Sequence, residues 1–342
     1  MNYHLFIYLF LLSLLLNYSF IKLQSFFSSK QLKQIHDTHN GNISRHGGVI
    51  IFFCLLIFTV INNQTNIIKI LIISLITLLP AFLEDIRINI KPTLRLFFIL
   101  ITSLLIIFQI EELPLFEMGF LNVIFNNELF KIIFFTISLT CLINGQNIID
   151  GTNGLSAFTS LIIFFCVFFL GLILNDNIII MYSIFLIFLI ISFLLFNFPF
   201  GKIFLGDLGS YFLGLFSGYL IIYIFGKYPE LSTWLACIIL FYPVFEAMFS
   251  YIRKIFMKVP PFYPDLNHLH LMLYSKLSKS NYSMKNINPF VTLILIVVWL
   301  SPFVAFILSI KFWYLTFPSL LMLVLIYVSI YFYLMRSLKK EI

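Results

Sequence analysis

Eleven apolar runs, each close to the length of a bilayer-crossing helix, leave this chain few ways to fold. They lie at about 3–20, 47–61, 67–83, 94–110, 128–144, 155–174, 178–196, 208–226, 232–250, 289–310 and 314–335. A helix needs roughly 20 apolar residues to cross the hydrocarbon of a membrane. Only 10% of the 342 residues are charged, against about 25% in an ordinary soluble domain. Too few charges are present to clothe a water-facing surface. The expected fold is all-α and polytopic, with about 11 transmembrane helices in one domain, residues 1–342. The first run lacks the basic start and small-residue cleavage site of a signal peptide, so it reads as the first span. The second run is short and the eighth is interrupted by glycine, which makes them the least regular.

The net charge is +7, but its placement argues against a nucleic-acid partner. The basic residues flank apolar runs and form no patch with interleaved aromatics. With the N-terminus outside, all but four of the 21 Lys and Arg residues fall on the inner side. The four are Lys69, Lys131, Lys227 and Lys311. By the positive-inside rule this puts the C-terminus in the cytoplasm. The cysteines Cys54, Cys141, Cys166 and Cys237 sit singly within apolar runs, so neither disulfides nor zinc are expected. No internal repeat is visible.

Five polar islands then share the cytoplasmic face: "HDTHNGNISRHGG" (36–48), "EDIRINIKPTLRL" (84–96), "NGQNIIDGTNG" (144–154), "GKIFLGDLGS" (201–210) and "YIRKIFMKVPPFYPDLNHLH" (251–270). The outer loops, such as "NNQTN" and "LNDN", are short and plain, and replacing Asp176 within the latter is expected to be nearly silent in turnover. Any one island is what turns and helix caps ordinarily use. Together they gather carboxylates, histidines, amides, cations and glycines on one membrane surface. That inventory suits a diphosphate and a divalent metal. Carboxylates hold Mg²⁺ by one or two oxygens, with phosphate and water completing the shell. Glycines let backbone N–H groups approach phosphate. Arg, Lys and His neutralise charge in phosphoryl transfer. The amides of Asn147 and Asn153 suit a uracil or an acetamido-sugar.

These residues resemble the polyprenyl-phosphate N-acetylhexosamine-1-phosphate transferases, a glycosyltransferase family 4 group related to the phospho-N-acetylmuramoyl-pentapeptide transferases. The family's Asn-x-x-Asn-x-x-Asp-Gly-x-Asn/Asp-Gly-Leu run matches Asn144, Asn147, Asp150, Gly151, Asn153, Gly154 and Leu155. Its Gly-Asp-x-Gly-Ser matches Gly206 to Ser210, and its Pro-Asp and His-x-His loop matches Asp265, His268 and His270. The first loop, with His39, Arg45, Gly47 and Gly48, is similar to the hexosamine branch. The resemblance implies transfer of a sugar 1-phosphate from a UDP-sugar to undecaprenyl phosphate, with Mg²⁺ or Mn²⁺, releasing UMP and starting a lipid-linked cell-surface glycan. It implies a multi-pass protein of the bacterial cytoplasmic membrane and leaves room for a homodimer. It also implies a site with Glu84, Asp85, Asp207, His268 and His270 as catalytic residues and Asp207 as metal ligand. His39, Arg45, Asn144, Asn147, Asp150, Asn153, Lys202 and Asp265 would bind the substrates.

Four positions depart from the family pattern. Glu84 replaces the first Asp of an Asp-Asp pair, and Glu246 stands where Asp is common. Leu271 replaces a third histidine, and Ser44 replaces a Pro, which is expected to loosen the first loop. The main alternative is a secondary transporter with polar cytoplasmic gate loops, which would bury ionisable groups near mid-membrane in broken helices and often show repeats. A membrane scaffold would not need five islands on one face. A CDP-alcohol phosphotransferase shares Asp150-Gly151 but lacks its further aspartates here.

Overall fold

The computed structural model describes residues 3–23, 43–115, 122–125, 127–260, 265–279 and 284–339, and every regular element among them is helical. The helices are α1 (Tyr3–Lys22), α2 (Gly47–Ile61), α3 (Thr65–Asp85), α4 (Pro92–Ile107), α5 (Glu128–Ile148), α6 (Leu155–Leu174), α7 (Asn177–Asn197) and α8 (Gly206–Lys227). They continue as α9 (Thr233–Ile239), α10 (Phe241–Phe256), α11 (Leu269–Ser278), α12 (Met284–Ile294), α13 (Ile296–Trp299), α14 (Ser301–Lys311) and α15 (Thr316–Lys339). Among the described residues, seven helices are long and apolar enough to cross a membrane, or nine if each of two bent pairs counts as one span. The chain is thus a helical, polytopic membrane protein. The expected eleven included α2 and α4, which are apolar but shorter.

Two runs expected to be straight are bent, and proline explains the sharper bend. The run 232–250 divides at Leu240 into α9 and α10, which meet at 82°. Pro243 has no N–H for the carbonyl of Ile239, and its ring would clash there, so α9 stops at Ile239. The run 289–310 bends by 43° between Ile294 and Ile296.

Glycine makes α8 the centre of the bundle. Gly206, Ser210, Gly214 and Gly218 recur every fourth residue and so share one face of the helix. A Cβ added to Gly214 would lie 3.0 Å from Ile143 Cα, and one on Gly218 would lie 2.4 Å from Leu139 Cδ1. Helix α5 therefore packs directly into this groove. Lipid tails are as apolar as leucine, so close backbone approach, not water exclusion, drives such pairing. On another face, a Cβ on Gly48 of α2 would come within 2.0 Å of Gly209 Cα. Helix α8 also contacts α3 and α6, and nearly all of it is buried.

Polar side chains inside the bundle are paired between helices. Ser13 bonds to Ser192 at 2.7 Å, Thr77 to Thr102 at 2.7 Å, and Thr140 to Ser103 at 3.1 Å. The Gln146 amide donates to the Ser156 carbonyl and hydroxyl and to the Ser160 hydroxyl, fixing α5 to α6. Each such bond contributes about 0.6 kcal/mol in a membrane interior. Phe58 joins Phe6 and Phe185 in one aromatic cluster linking α2 to α1 and α7. These contacts bring the C-terminal ends of α3 and α5 and the N-terminal ends of α2, α6 and α8 to the same end of the bundle.

Candidate functional site

The N-terminus of α8 is the hub of that end. Its first amides have no partners within the helix, and Asp85, the last residue of α3, supplies them. Asp85 Oδ1 accepts the N–H of Asp207 at 2.9 Å, and Oδ2 accepts the N–H of Leu208 at 3.0 Å. A carboxylate at a helix N-terminus is worth up to about 2 kcal/mol when partly buried. Gly206 permits the contact twice over. Its φ of 79° lies in the left-handed region, and a Cβ there would meet Arg45 O at 2.3 Å and Asp85 Oδ2 at 2.6 Å. The end of α3 is itself fixed by a Schellman turn: Arg87 N–H bonds Glu84 O and Ile88 N–H bonds Leu83 O, both at 2.8 Å, with Arg87 at φ 72°.

The side chain of Asp207 faces two partners. Asn147 donates to Oδ1 at 3.2 Å and to the Ser210 hydroxyl at 2.9 Å. Arg95, from the first turn of α4, donates to Oδ2 at 3.2 Å and also to Glu84. Glu84 accepts a second bond from Ile90 N–H at 3.3 Å. Glu84, Asp85, Asn147 and Asp207 thus converge from three helices, with Arg95 as the cation between two carboxylates. Sequence reasoning left Arg95 out of the site, although it lies in the second polar island.

Asp150 and Arg45 belong to the same field. Burial, and then the nearby carboxylates of Asp207 and Asp85, push the Asp150 carboxyl well above the usual carboxylate range. Arg45 and the Ser156 hydroxyl pull it back. The next residue, Gly151, touches the histidine segment: an added Cβ would sit 2.2 Å from His270 Nε2. His268 stacks with His270 at 6.2 Å between ring centroids. Its Nδ1 lies 3.0 Å from Glu246 Oε1, and Tyr327 donates to Glu246 Oε2 at 2.7 Å. Glu246 is almost fully buried. Read in the sequence only as a departure, it is the partner of a site histidine; an acid inside an apolar run was the signal.

Several expected site residues are engaged elsewhere. Asn144 donates to the Thr140 carbonyl of its own helix at 2.9 Å. Asn153 donates to the Pro199 carbonyl, and its N–H is held by Asn288 Oδ1 at 2.6 Å. Lys202 is exposed and lies over the Phe200 ring. Asp265 is bound by Arg253 at 2.7 Å, by Lys254 at 3.5 Å and by Asn267 N–H at 2.7 Å. Burial opposes ionisation of Asp265, yet that N–H and the cations around it hold its carboxyl below the usual range. His39 lies outside the described residues.

Two further expectations change. Ser44 does not leave the first loop loose: its hydroxyl lies 2.8 Å from His46 Nδ1, and its carbonyl accepts Phe204 N–H at 2.8 Å. Gly47 and Gly48 do not offer their N–H groups to phosphate, because these bond Phe204 O and Leu205 O at 3.0 and 2.8 Å. Asp176 is not idle. It caps α7 through Ile178 and Ile179 N–H, and accepts from Lys227 at 2.6 Å and Tyr228 at 2.9 Å. Leu271 is buried.

Among the described residues, no three His, Cys, Asp or Glu side chains gather as a metal cage. Mg²⁺ asks for less: one or two carboxylates, with phosphate and water oxygens completing its octahedron. Asp207 is a hard oxygen donor, with the carboxylate of Glu84 held to it through Arg95. That donor set fits Mg²⁺ or Mn²⁺ and suits neither zinc nor copper.

Comparison with known proteins bears on the same stretch. Residues 67–225 match the family described as Glycosyl transferase family 4. This segment contains Glu84, Asp85, Asn147, Asp150 and Asp207, and leaves out Arg45, Glu246, His268 and His270. A probable undecaprenyl-phosphate N-acetylglucosaminyl 1-phosphate transferase of Bacillus subtilis is 32% identical over 210 residues, 57% of this chain and 58% of that protein. An undecaprenyl-phosphate alpha-N-acetylglucosaminyl 1-phosphate transferase of Thermotoga maritima is 32% identical over 147 residues, 43% and 44% of the two chains. A phospho-N-acetylmuramoyl-pentapeptide-transferase of Leuconostoc mesenteroides is 38% identical over 112 residues, 32% and 35%. The chain spans little more than half the length of the first of these relatives and less than half of the others.

Proposed function

We propose that this chain, which belongs to glycosyl transferase family 4 across residues 67–225, transfers an N-acetylhexosamine 1-phosphate from a UDP-sugar to undecaprenyl phosphate and releases UMP. One observation carries the reading. Asp207, Asp85, Glu84, Arg95 and Asn147 converge at one end of an apolar helical bundle, where a water-soluble diphosphate and a lipid phosphate can meet. The names of the relatives support the acceptor and the sugar.

In this reading the chain is a single transferase domain of the bacterial cytoplasmic membrane. Its helices and bent pairs make eleven crossings, with the N-terminus outside and the site in the cytoplasm. Asp207 holds Mg²⁺ or Mn²⁺. A cation held there would supply positive charge to the donor diphosphate and its UMP leaving group. Arg95 keeps Asp207 and Glu84 together and supplies positive charge. Arg45 adds a second cation beside Asp150. His270 borders Gly151, with His268 stacked on it, and the two steady developing charge. Asn147 donates to Asp207 and fixes its orientation. Asp85 has both oxygens bound to α8 amides, so its task is to hold Asp207 in place. The acceptor phosphate is largely dianionic at neutral pH and needs no strong base. Its oxygen attacks the β-phosphorus as the bond to the UMP oxygen breaks.

A secondary transporter is the second reading, favoured by the broken α9–α10 pair. One experiment separates the two. Purified protein is given undecaprenyl phosphate, Mg²⁺ and a panel of UDP-sugars, and UMP is measured. Release with UDP-N-acetylglucosamine or a related N-acetyl sugar, abolished by chelator, supports the transferase. No release with any donor, together with solute uptake in proteoliposomes, supports the transporter. A cysteine at Ser278 should be shielded from an impermeant reagent outside intact cells, and one at Asn63 labelled.

A further inference from the structure

The histidine segment is held from behind by the last helix, through residues that no motif marks. Helix α10 presents Glu246 and Arg253, seven residues and two turns apart, on one face. Glu246 Oε1 lies 3.0 Å from His268 Nδ1 and accepts weakly from Leu269 N–H at 3.4 Å. Arg253 binds Asp265 through both carboxylate oxygens, at 3.0 and 2.7 Å, and donates to the Asn267 carbonyl. Residues 265–269 are thus gripped at both ends by α10.

Each gripping residue is itself held by a tyrosine of α15. Tyr327 donates its hydroxyl to Glu246 Oε2 at 2.7 Å. Tyr331 accepts from Arg253 at 2.7 Å and lies with its ring 5.8 Å from the guanidinium carbon. The tyrosines are four residues apart, so they share a face of α15. Both are almost fully buried, and Phe245 and Phe249 of α10 pack edge-on against them. Nothing about sugar or phosphate binding requires a tyrosine pair on the far side of α10.

The chemistry of this chain of contacts fixes the state of one ring. An ionised carboxylate only accepts hydrogen bonds. As a carboxylate, Glu246 accepts the Tyr327 hydroxyl on one oxygen and the Leu269 N–H on the other, and toward it the nearby His268 Nδ1 carries the proton. That leaves Nε2 as the nitrogen His268 can turn to a ligand. Orienting a functional imidazole through its other nitrogen is a general device.

We propose that Tyr327 and Tyr331 are positioning residues, which act through Glu246 and Arg253 to set the tautomer of His268 and the place of the 265–270 segment. The consequence for rate rests on the transferase reading above; the tautomer does not.

The test therefore has two arms. In the first, protein labelled with ¹⁵N-histidine in lipid nanodiscs is examined by NMR, with His268 assigned from His268→Gln. The wild type should show a proton on Nδ1 in a strong hydrogen bond, with its resonance far downfield. Glu246→Gln should shift or remove that signal, and Tyr327→Phe should weaken it. An Nδ1 signal unchanged in Glu246→Gln overturns the proposal, whatever the protein's activity. In the second arm, kcat and KM for the UDP-sugar are measured for Tyr327→Phe, Tyr331→Phe and the double variant. The double variant should lose about 10–100-fold in kcat, the range seen when a functional histidine loses its orienting partner, with KM and melting temperature close to wild type. Normal kcat in the double variant overturns the positioning role. If no variant and no wild type turns over, the transferase reading has failed, and the NMR arm still decides the tautomer.

Discussion

Asp85 Oδ1 accepts the backbone N–H of Asp207 at 2.9 Å, so the carboxylate ending α3 fixes the residue that opens α8. Asp85→Asn keeps the shape but turns an NH₂ donor toward an N–H donor on one side. We expect a lower melting temperature, weaker donor binding and about a 100-fold loss of rate, because small misplacements at a reacting centre cost that much. Were Asp85 a simple proton acceptor, the same change would lower turnover but leave melting temperature and donor binding intact. Differential scanning fluorimetry and donor titration distinguish the two.

Arg95 bridges Glu84 and Asp207 from side chains that are each about a fifth to a quarter exposed. Removing it leaves two neighbouring carboxylates uncompensated, which costs on the order of 1 kcal/mol after allowance for water screening. Arg95→Gln should be slowest. Arg95→Lys should be intermediate, since an ammonium is a point charge and lacks the planar fork that reaches two partners. Initial rates at equal protein settle the order, and a fully active Arg95→Gln would make the bridge incidental.

The bundle was legible in the sequence because hydrophobic length fixes helices in lipid. Gly47–Ile61 and Leu155–Leu174 begin and end where the apolar runs do. The α9–α10 bend was missed because hydropathy averages across Pro243, whose effect lies in its missing N–H. The site was partly legible. Asp85, Asn147 and Asp207 come from three separate motifs and meet at one end of the bundle, but Arg95 and Glu246 have partners 112 and 22 residues away. No local pattern carries such a pairing. Asn153 and Asp265 were expected on substrates; here the Asn153 amide nitrogen bonds the Pro199 carbonyl and Asp265 bonds Arg253, contacts no local pattern announces.

Asp176, at the other end of the bundle, should matter for stability and not for chemistry. Burial opposes its ionisation, but Lys227, the α7 amides and Tyr228 outweigh burial and hold its carboxyl below the usual range. A depressed folded-state value means the contribution is complete above the ordinary carboxylate value, about 3.9, and is lost as pH falls through the folded value. Asp176→Asn keeps an oxygen to cap α7 but loses the charge that faces Lys227, and should lower stability by about 1 kcal/mol or less at pH 7. Its melting temperature should approach wild type as pH drops below about 4. Turnover per folded molecule should not change.

Gly48 has no room for a side chain. A Cβ there would lie 2.0 Å from Gly209 Cα, backbone that cannot step aside cheaply. Gly48→Ala should cost about 1–3 kcal/mol or more and pull the Arg45 segment away from α8, so activity and melting temperature should fall together. Val49→Ala, at a half-buried neighbour, serves as the comparison and should be mild in both. A silent Gly48→Ala would show that the glycine contact does not support the site.

The central claim is that the β-phosphorus of a UDP-sugar moves to a lipid phosphate at the end of the bundle where Asp207 lies. UDP-N-acetylglucosamine labelled with ³²P at the β position is incubated with the purified protein, undecaprenyl phosphate and Mg²⁺, and the label is partitioned between butanol and water. The account predicts that ³²P enters the butanol phase in step with unlabelled UMP in the water, and that Asp207→Asn slows this by about 100-fold or more. Label that stays in water, or an Asp207→Asn protein that transfers it at the wild-type rate, contradicts the account.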